Sequence, residues 1–227
     1  MAQSMILAGE VLVNEQKVEN CGARVAEEAK LRLLIKSSPF VSRGGLKLAG
    51  ALDHFRVEVD GRICLDIGAS TGGFTDCLLK RGAARVFAVD VGTNQLDWKL
   101  RRDQRVVVME NTNARSLDLA ALGSLVEVVT MDVSFISATL ILPVLPPLLE
   151  REANVLVLVK PQFEVRRAQV QKGGLVTDLA LHQQAVTRVS TRLLDLGFEG
   201  LDSIESSLPG ATGNREYFVH ALWRKRV

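Results

Sequence analysis

A doubly wound α/β fold around a mostly parallel sheet is what this sequence predicts, and three observations carry the reading. From Ile63 onward, short apolar, β-branched runs alternate with helix-like segments, the pattern of strands buried on both faces by crossover helices. A glycine-rich stretch follows the first of those runs at once. Two strand-like runs close the chain around Pro209-Gly210 and Thr212-Gly213-Asn214, which predicts an antiparallel pair at one edge.

Residues 1–35 have a different grain. A helix-like Ala2–Ala8 stops at Gly9, and strand-like Val11–Asn14 and Leu31–Leu34 flank a polar middle. The stretch is too small to hold a core of its own. Residues 36–45 (Lys36-Ser-Ser-Pro-Phe-Val-Ser-Arg-Gly-Gly45) are turn-rich and read as a linker, leaving residues 46–227 as the main domain. There the expected strands are Ile63–Ile67, Val86–Val91, Val106–Glu110, Val126–Val133 and Val155–Lys160, with crossover helices at Phe74–Arg81, Asn94–Arg102 and Ser137–Glu150. A last helix over Leu179–Leu196 precedes strands at Gly200–Ser206 and Glu216–Trp223.

Composition narrows the class. The chain has 227 residues, 47% hydrophobic and 24% charged, which is ordinary for a globular domain and gives no support to disordered, collagen-like or coiled-coil classes. A net charge of +2 does not by itself announce a polyanion binder. Three cysteines without a C-x-x-C pair or a histidine at ligand spacing predict neither a disulfide framework nor a metal site, and favour a reducing compartment. The start lacks a basic segment before an apolar run, and the longest apolar stretch, Ala138–Leu149, is cut by three prolines. A cytoplasmic protein is expected.

The stretch Asp66-Ile-Gly-Ala-Ser-Thr-Gly-Gly-Phe-Thr75 opens a helix, where free backbone N–H groups and missing side chains admit a ligand. Three ligand chemistries compete for it. Its spacing departs from the dinucleotide fingerprint G-x-G-x-x-G at the second glycine, where Ser70 stands. Gly68-Ala-Ser70-Thr-Gly72 matches the G-x-S-x-G elbow of serine hydrolases, a reading that requires Ser70 to pair with His182 or His220. The third reading rests on two acids. Asp90 closes the second strand 24 residues after Asp66, where a carboxylate can accept both ribose hydroxyls of a nucleoside cofactor. Asp66 suits the cationic amino-acid end of S-adenosyl-L-methionine. The methyltransferase reading leads.

Two further polar residues share the carboxyl edge of the sheet with this loop, where α/β proteins bind ligands. Asp132 ends one strand and Lys160, followed by Pro161, ends another. Singly, each has a plain alternative, a helix cap and a solvated lysine.

Five ordered motifs between Phe40 and Trp223 resemble the FtsJ-like RNA ribose methyltransferases: Val41-Ser-Arg-Gly-Gly-Leu-Lys47-Leu, Asp66–Thr75, Met131-Asp-Val-Ser-Phe135, Val159-Lys-Pro-Gln-Phe163 and Asn214-Arg-Glu216-Tyr-Phe218. Within that group they are most similar to the hemolysin A (TlyA) branch, which methylates the 2′-hydroxyl of cytidines in ribosomal RNA. The resemblance implies a Rossmann-like class I S-adenosylmethionine-dependent fold with a Lys-Asp-Lys-Glu tetrad on Lys47, Asp132, Lys160 and Glu216. It also implies a cofactor site on Asp66, Gly68, Ser70, Gly72, Gly73, Asp90, Asn111, Thr112 and Asn113, with ribosomal RNA or a ribosomal subunit as partner.

Chemistry gives such a tetrad work to do. A protonated ribose hydroxyl is a poor nucleophile, so a base or an electrostatic trap must stand beside it. Lys160 is the expected base, if burial and the neighbouring Lys47 favour its neutral form, while Asp132 orients the amine and Glu216 steadies the other cation or the ribose. The sulfonium carries the leaving charge already, so no metal is required.

Ala2–Asn14 resembles the later part of the alpha-L RNA-binding module, without the arginine-bearing helix that opens it. This predicts a partial module over residues 1–35. Further basic clusters at Lys99–Arg105, at Arg166-Arg167 with Lys172, and at Arg224-Lys225-Arg226 are candidate phosphate contacts, although such runs usually mark solvated faces. The loop Phe163–Val176, with Gly173-Gly174, is the candidate substrate lid. Phe135 has two readings, a stacking platform for the target base or a core residue. A membrane-active role, suggested by the hemolysin name, lacks a span or a basic amphipathic helix.

Overall fold

A computed structural model describes residues 6, 11–18, 20–33, 39–210 and 212–225. The chain divides into two units, Met1–Ser38 and Pro39–Val227. In the first, β1 (Val11–Val13) pairs antiparallel with both β2 (Gln16–Lys17) and β3 (Leu31–Leu33). Apart from Ile6, which is helical, the helix expected at Ala2–Ala8 lies outside the described residues, as do the linker residues 36–38.

The second unit opens with α1 (Gly44–Phe55) and continues β4 (Ile63–Ile67), α2 (Gly73–Lys80), β5 (Arg85–Val89), α3 (Trp98–Arg101) and β6 (Val106–Met109). After α4 (Leu119–Leu122) come β7 (Val126–Met131), β8 (Leu149–Val159), α5 (Pro161–Glu164), α6 (Leu179–Asp195), β9 (Glu199–Glu205) and β10 (Tyr217–Arg224). The sheet order is β6-β5-β4-β7-β8-β10-β9. Its first five strands run parallel, and β10 is inserted antiparallel to both β8 and β9.

Side chains alternate across each strand, so one run of residues feeds two cores. On one face Leu65, Ile67, Phe87, Val155 and Val157 pack against α6 and the Ala138–Leu148 segment. On the other, Cys64, Val86, Ala88, Leu156, Leu158 and Phe218 pack against α1 and α2. Both faces are covered, which is why the strands read as continuous apolar runs.

Three expectations are corrected. Ser137–Glu150 is not a crossover helix but three short 3-10 turns, Ala138–Leu140, Leu142–Val144 and Pro146–Leu148. Pro143, Pro146 and Pro147 lack N–H groups, so the hydrogen-bond ladder of an α-helix cannot run through the segment. The helix expected over Asn94–Arg102 shrinks to α3, because Asn94, Gln95 and Leu96 donate their amides to the Glu110 carboxylate instead of to a helix. The strand expected from Val155 starts six residues earlier, held by Leu149 against Val126 and by Glu152 against Arg224. Phe218, fully buried and stacked on Phe74 at 6.0 Å, serves as a gauge of the second core. Phe218→Ala should lower stability by about 3–5 kcal/mol, read as a drop in the urea midpoint at constant slope.

Candidate active site

Strand register assembles the site. Ile67 pairs with Val89 and with Met131, and Val89 with Met109, so Gly68, Asp90, Glu110 and Asp132 form one row just beyond the strand ends. Strand order reverses about β4, with β5 laid down on one side and β7 on the other, and such a switch point opens a crevice between loops. Tyr217 pairs with Val159, which puts Glu216 across from Lys160 at the same edge.

Two ion pairs occupy this edge. The Lys47 ammonium, on α1, donates to Glu216 Oε2 at 2.6 Å, with both residues buried. The Lys160 ammonium lies 2.5 Å from Asp132 Oδ1 and donates to Ser134 Oγ at 2.9 Å. Asp132 Oδ1 is buried without a directed hydrogen bond, so the Lys160 contact is Coulombic in character.

Two cavities adjoin here. The larger, about 350 Å³, is walled by Val89, Val133, Ile136 and Ile141 and carries Asp90, Thr112 and Asn113 on its polar side. The smaller, about 190 Å³, is bounded by Ser42, Arg43, Lys47, Phe74 and Pro209. Gly68, Ser70 and Asp132 line both.

Asp90 lies at the larger cavity with Oδ2 accepting from the Ser70 amide at 2.8 Å and Oδ1 from the Gly92 amide at 2.7 Å. Asn113 accepts from the Arg115 amide, and the Thr112 hydroxyl donates to the Glu110 carbonyl. Asn111, at φ +52°, turns the chain and lines neither cavity. Asp66 also faces away. It is wholly buried, and the hydroxyls of Thr75 (2.7 Å) and Thr130 (3.1 Å) donate to its two oxygens.

The glycines serve close packing of the protein on itself. A Cβ on Gly68 would overlap the Asp132 carbonyl, and one on Gly73 would overlap Ser42 and the backbone of Gly44 and Gly45, where α1 meets the loop. Gly72 accommodates Leu96 and Leu100 in the same way and lines neither cavity.

Sequence reasoning passed over Glu110. Arg101 beside it holds its carboxyl down to about 2, and its oxygens gather the amides of residues 94–96, shaping the turn that brings Gln95 to the larger cavity. The signal was its place in the row, one residue beyond a strand end. Of the basic clusters, Arg101 and Arg105 are spent on Glu110 and Asp103, and Arg224 pairs with Glu152 and Glu199. Arg166, Arg167 and Lys172 are exposed, while Arg226 lies outside the described residues.

Phe135 is 93% exposed, which overturns its core reading. Its φ of +65° is rare for a bulky residue, and its ring rests 5.4 Å from that of Phe163 at the rim of the larger cavity. The hydrolase reading also fails. His182 bonds Tyr217 and Val176, His220 bonds Asn154, and no histidine lines either cavity with Ser70.

Residues 40–222 match the family described as FtsJ-like methyltransferase. The chain belongs to that family. It is 47% identical over 219 residues, 96% of this chain and 82% of the other, to the 16S/23S rRNA (cytidine-2′-O)-methyltransferase TlyA of Mycobacterium tuberculosis. A solved chain from Streptococcus thermophilus whose description carries the word hemolysin shares 40% identity at a TM-score of 0.85, covering 99% of this chain and 82% of that one. The magnesium protoporphyrin IX methyltransferase of Synechocystis, solved with S-adenosylhomocysteine, superposes at a TM-score of 0.55 and 13% identity, over 79% of this chain and 83% of that one. That last likeness is one of fold alone, a mostly parallel α/β sheet. Among the described residues no helix is long and apolar enough to cross a membrane, and no group of three or more His, Cys, Asp or Glu is gathered for a metal.

Asp66 generates a pH prediction. Burial pushes its carboxyl from the ordinary 3.8 up to about 7, against the pull of the two threonine hydroxyls, and the Asp132 charge adds to the rise. Between those values the folded chain keeps a proton that the unfolded chain releases, so this group favours folding at low pH and loses its contribution as pH rises through about 7. Asp66→Asn cannot ionise. Its urea midpoint relative to the parent should therefore climb from pH 4 to pH 8, whereas a difference that stays constant across that range would clear Asp66 of the effect.

Proposed function

We propose that this chain transfers a methyl group from S-adenosyl-L-methionine to a ribose 2′-hydroxyl of RNA, with a cytidine of ribosomal RNA in a ribosomal subunit as target and the cytoplasm as the place of reaction. The observation that carries the reading is the meeting of the two cavities at Gly68, Ser70 and Asp132. One cavity suits a nucleoside cofactor, and the other offers a hydroxyl the Lys47 ammonium and the Asp132 carboxylate, to which Lys160 is paired. The name of the Mycobacterium tuberculosis relative supplies the substrate class.

The larger cavity fits the cofactor by size and by donor set. Asp90 could accept ribose hydroxyls on the lone pairs its two amide contacts leave free, Thr112 and Asn113 edge the cavity, and Val89, Val133, Ile136 and Ile141 would hold the flat ring of the nucleoside. Gly68 and Ser70 bring the loop backbone to the same wall. Asp66, Gly72, Gly73 and Asn111 act one step back, by shaping the loops that do the holding. When bound, S-adenosyl-L-methionine supplies an electrophilic methyl group on a positively charged sulfur.

The chain's own residues supply the rest. Lys160 is the base: once its ammonium has released a proton to solvent, the amine takes the 2′-hydroxyl proton on Nζ and leaves the oxygen its electron pair for the new O–C bond. Asp132 and Ser134 fix that amine from two sides. Lys47, steadied by Glu216, attracts the developing oxyanion from the smaller cavity. Phe135, exposed at the rim, stacks on the target base. Arg166, Arg167 and Lys172 meet phosphate on the loop that closes over the ribose, and residues 1–35 act as a partial RNA-binding module joined through residues 36–45 to the catalytic domain, residues 46–227.

Two variants test this. Asp90→Ala should weaken S-adenosylmethionine binding by about 1.5–3 kcal/mol in calorimetry, the scale of hydrogen bonds to a charged group. Lys160→Arg keeps the charge but cannot deprotonate, so single-turnover methylation of RNA should fall about a hundredfold or more while cofactor affinity holds within about twofold. Arginine working at more than about a tenth of the parent rate would end the general-base assignment.

A further inference from the structure

The loop after Lys160 is fastened at both ends, and its far fastening involves three residues to which no role has yet been given. At the near end, Glu164 is buried, accepting from the Ser137 hydroxyl at 2.5 Å and the Ala138 amide at 2.7 Å. At the far end, Val176 is held on both of its backbone groups. Its amide donates to Asn214 Oδ1 at 2.9 Å, and its carbonyl accepts from His182 Nε2 at 2.7 Å. Asn214 Nδ2 also donates to the Gly174 carbonyl at 2.7 Å, and His182 Nδ1 lies 2.9 Å from the Tyr217 hydroxyl. A carbonyl can only accept, so Nε2 carries the hydrogen and, in the neutral ring, Nδ1 accepts from Tyr217.

These contacts close a ring. It runs from Asn214 through Val176 and His182 to Tyr217, then back along the main chain past Arg215 and Glu216. Glu216 thus sits inside a segment clamped on both sides, while its own Oε2 holds Lys47. His182, Asn214 and Glu216 are all buried, and a buried polar network whose members are all bonded rigidifies what it touches. Loop 165–175 therefore spans the two ion pairs, starting from the Lys160 side and ending on the Glu216 side.

We propose that His182, Asn214 and Tyr217 are positioning residues, which lock the end of the loop to the Glu216 segment so that the Lys47–Glu216 pair and the loop over the substrate take up their places together. This rests on the methyl-transfer reading above, because the benefit lies in the catalytic step. The clamp lies away from the larger cavity, whose wall includes none of its members.

The test compares His182→Phe and Asn214→Ala with His182→Gln, whose side-chain amide can still donate to Val176. In the first two, hydrogen exchange at the amides of residues 174–176 should quicken about tenfold or more, and kcat on ribosomal subunits should fall about tenfold with KM changed less. Cofactor affinity should stay within about twofold, and His182→Gln should recover most of kcat. A parent-like kcat beside a loosened loop would overturn the proposal, as would cofactor affinity falling in step with kcat, the mark of general destabilisation. Should His182→Phe fail to fold, Tyr217→Phe decides with the loss of one hydroxyl: a kcat reduced about threefold upholds the clamp and an unchanged one overturns it. A parent chain that binds cofactor but methylates no RNA would overturn the reaction itself, which separates that failure from the failure of the clamp.

Discussion

A buried ion pair between residues 169 positions apart, Lys47 on the first helix and Glu216 before the last strand, is the constraint around which the catalytic unit is arranged. Taking two charges out of water is expensive, and removal of either partner from such a pair commonly costs about 3–5 kcal/mol because the survivor is left buried and unmatched. The fold meets that demand with geometry. Helix α1 packs closely on the start of α2 because Gly73 lets its backbone approach Gly44 and Gly45, and β10 enters the sheet antiparallel, which places Glu216 at the carboxyl edge. Had β10 run parallel, its start would lie at the opposite edge and the pair could not form.

Much of this plan was legible in the sequence. The five parallel strands announced themselves because burial on both faces demands unbroken apolar runs, and Asp90, Asp132 and Lys160 stood out because each lies at the end of such a run, whereas Lys47 and Glu216 came only from the family resemblance. Helix α1 was not foreseen, since Gly45 and Gly50 make its sequence a poor helix by propensity. It forms because tertiary contact outweighs propensity: the Phe40 ring lies on Gly45 where a Cβ would clash, and Leu48, Ala51 and Leu52 go into the core. The over-long helix at Asn94–Arg102 failed for a related reason, that a distant carboxylate, Glu110, captures the amides a helix would have used.

Register was the information the sequence lacked. Knowing that Lys160 and Glu216 each flank a strand does not say that they face each other, and only the pairing of Tyr217 with Val159 does. The glycine loop shows the same limit from another side. Its glycines were read as room for a ligand, yet at Gly68, Gly72 and Gly73 the space is filled by the protein's own atoms. In the proposed function, cofactor contact through the loop falls instead to Gly68 and Ser70, which line the larger cavity.

Charge accounting at this edge connects the architecture to the proposed reaction. The two ammonium groups of Lys47 and Lys160 are matched by Glu216 and Asp132, so the tetrad as a whole is neutral. Among the described residues no cation pairs with Asp90, whose carboxylate is held by two backbone amides, and the larger cavity therefore keeps an unbalanced negative charge. Coulomb attraction of this sort favours a ligand with a cationic sulfur over one whose sulfur is neutral. Substrate and product of methyl transfer differ in that respect, since the sulfonium loses its charge when the methyl group leaves. An edge with surplus negative charge would thus hold the methyl donor more firmly than the spent cofactor, because the ribose contacts of the carboxylate serve both while its attraction for the sulfonium ends when the methyl group has gone.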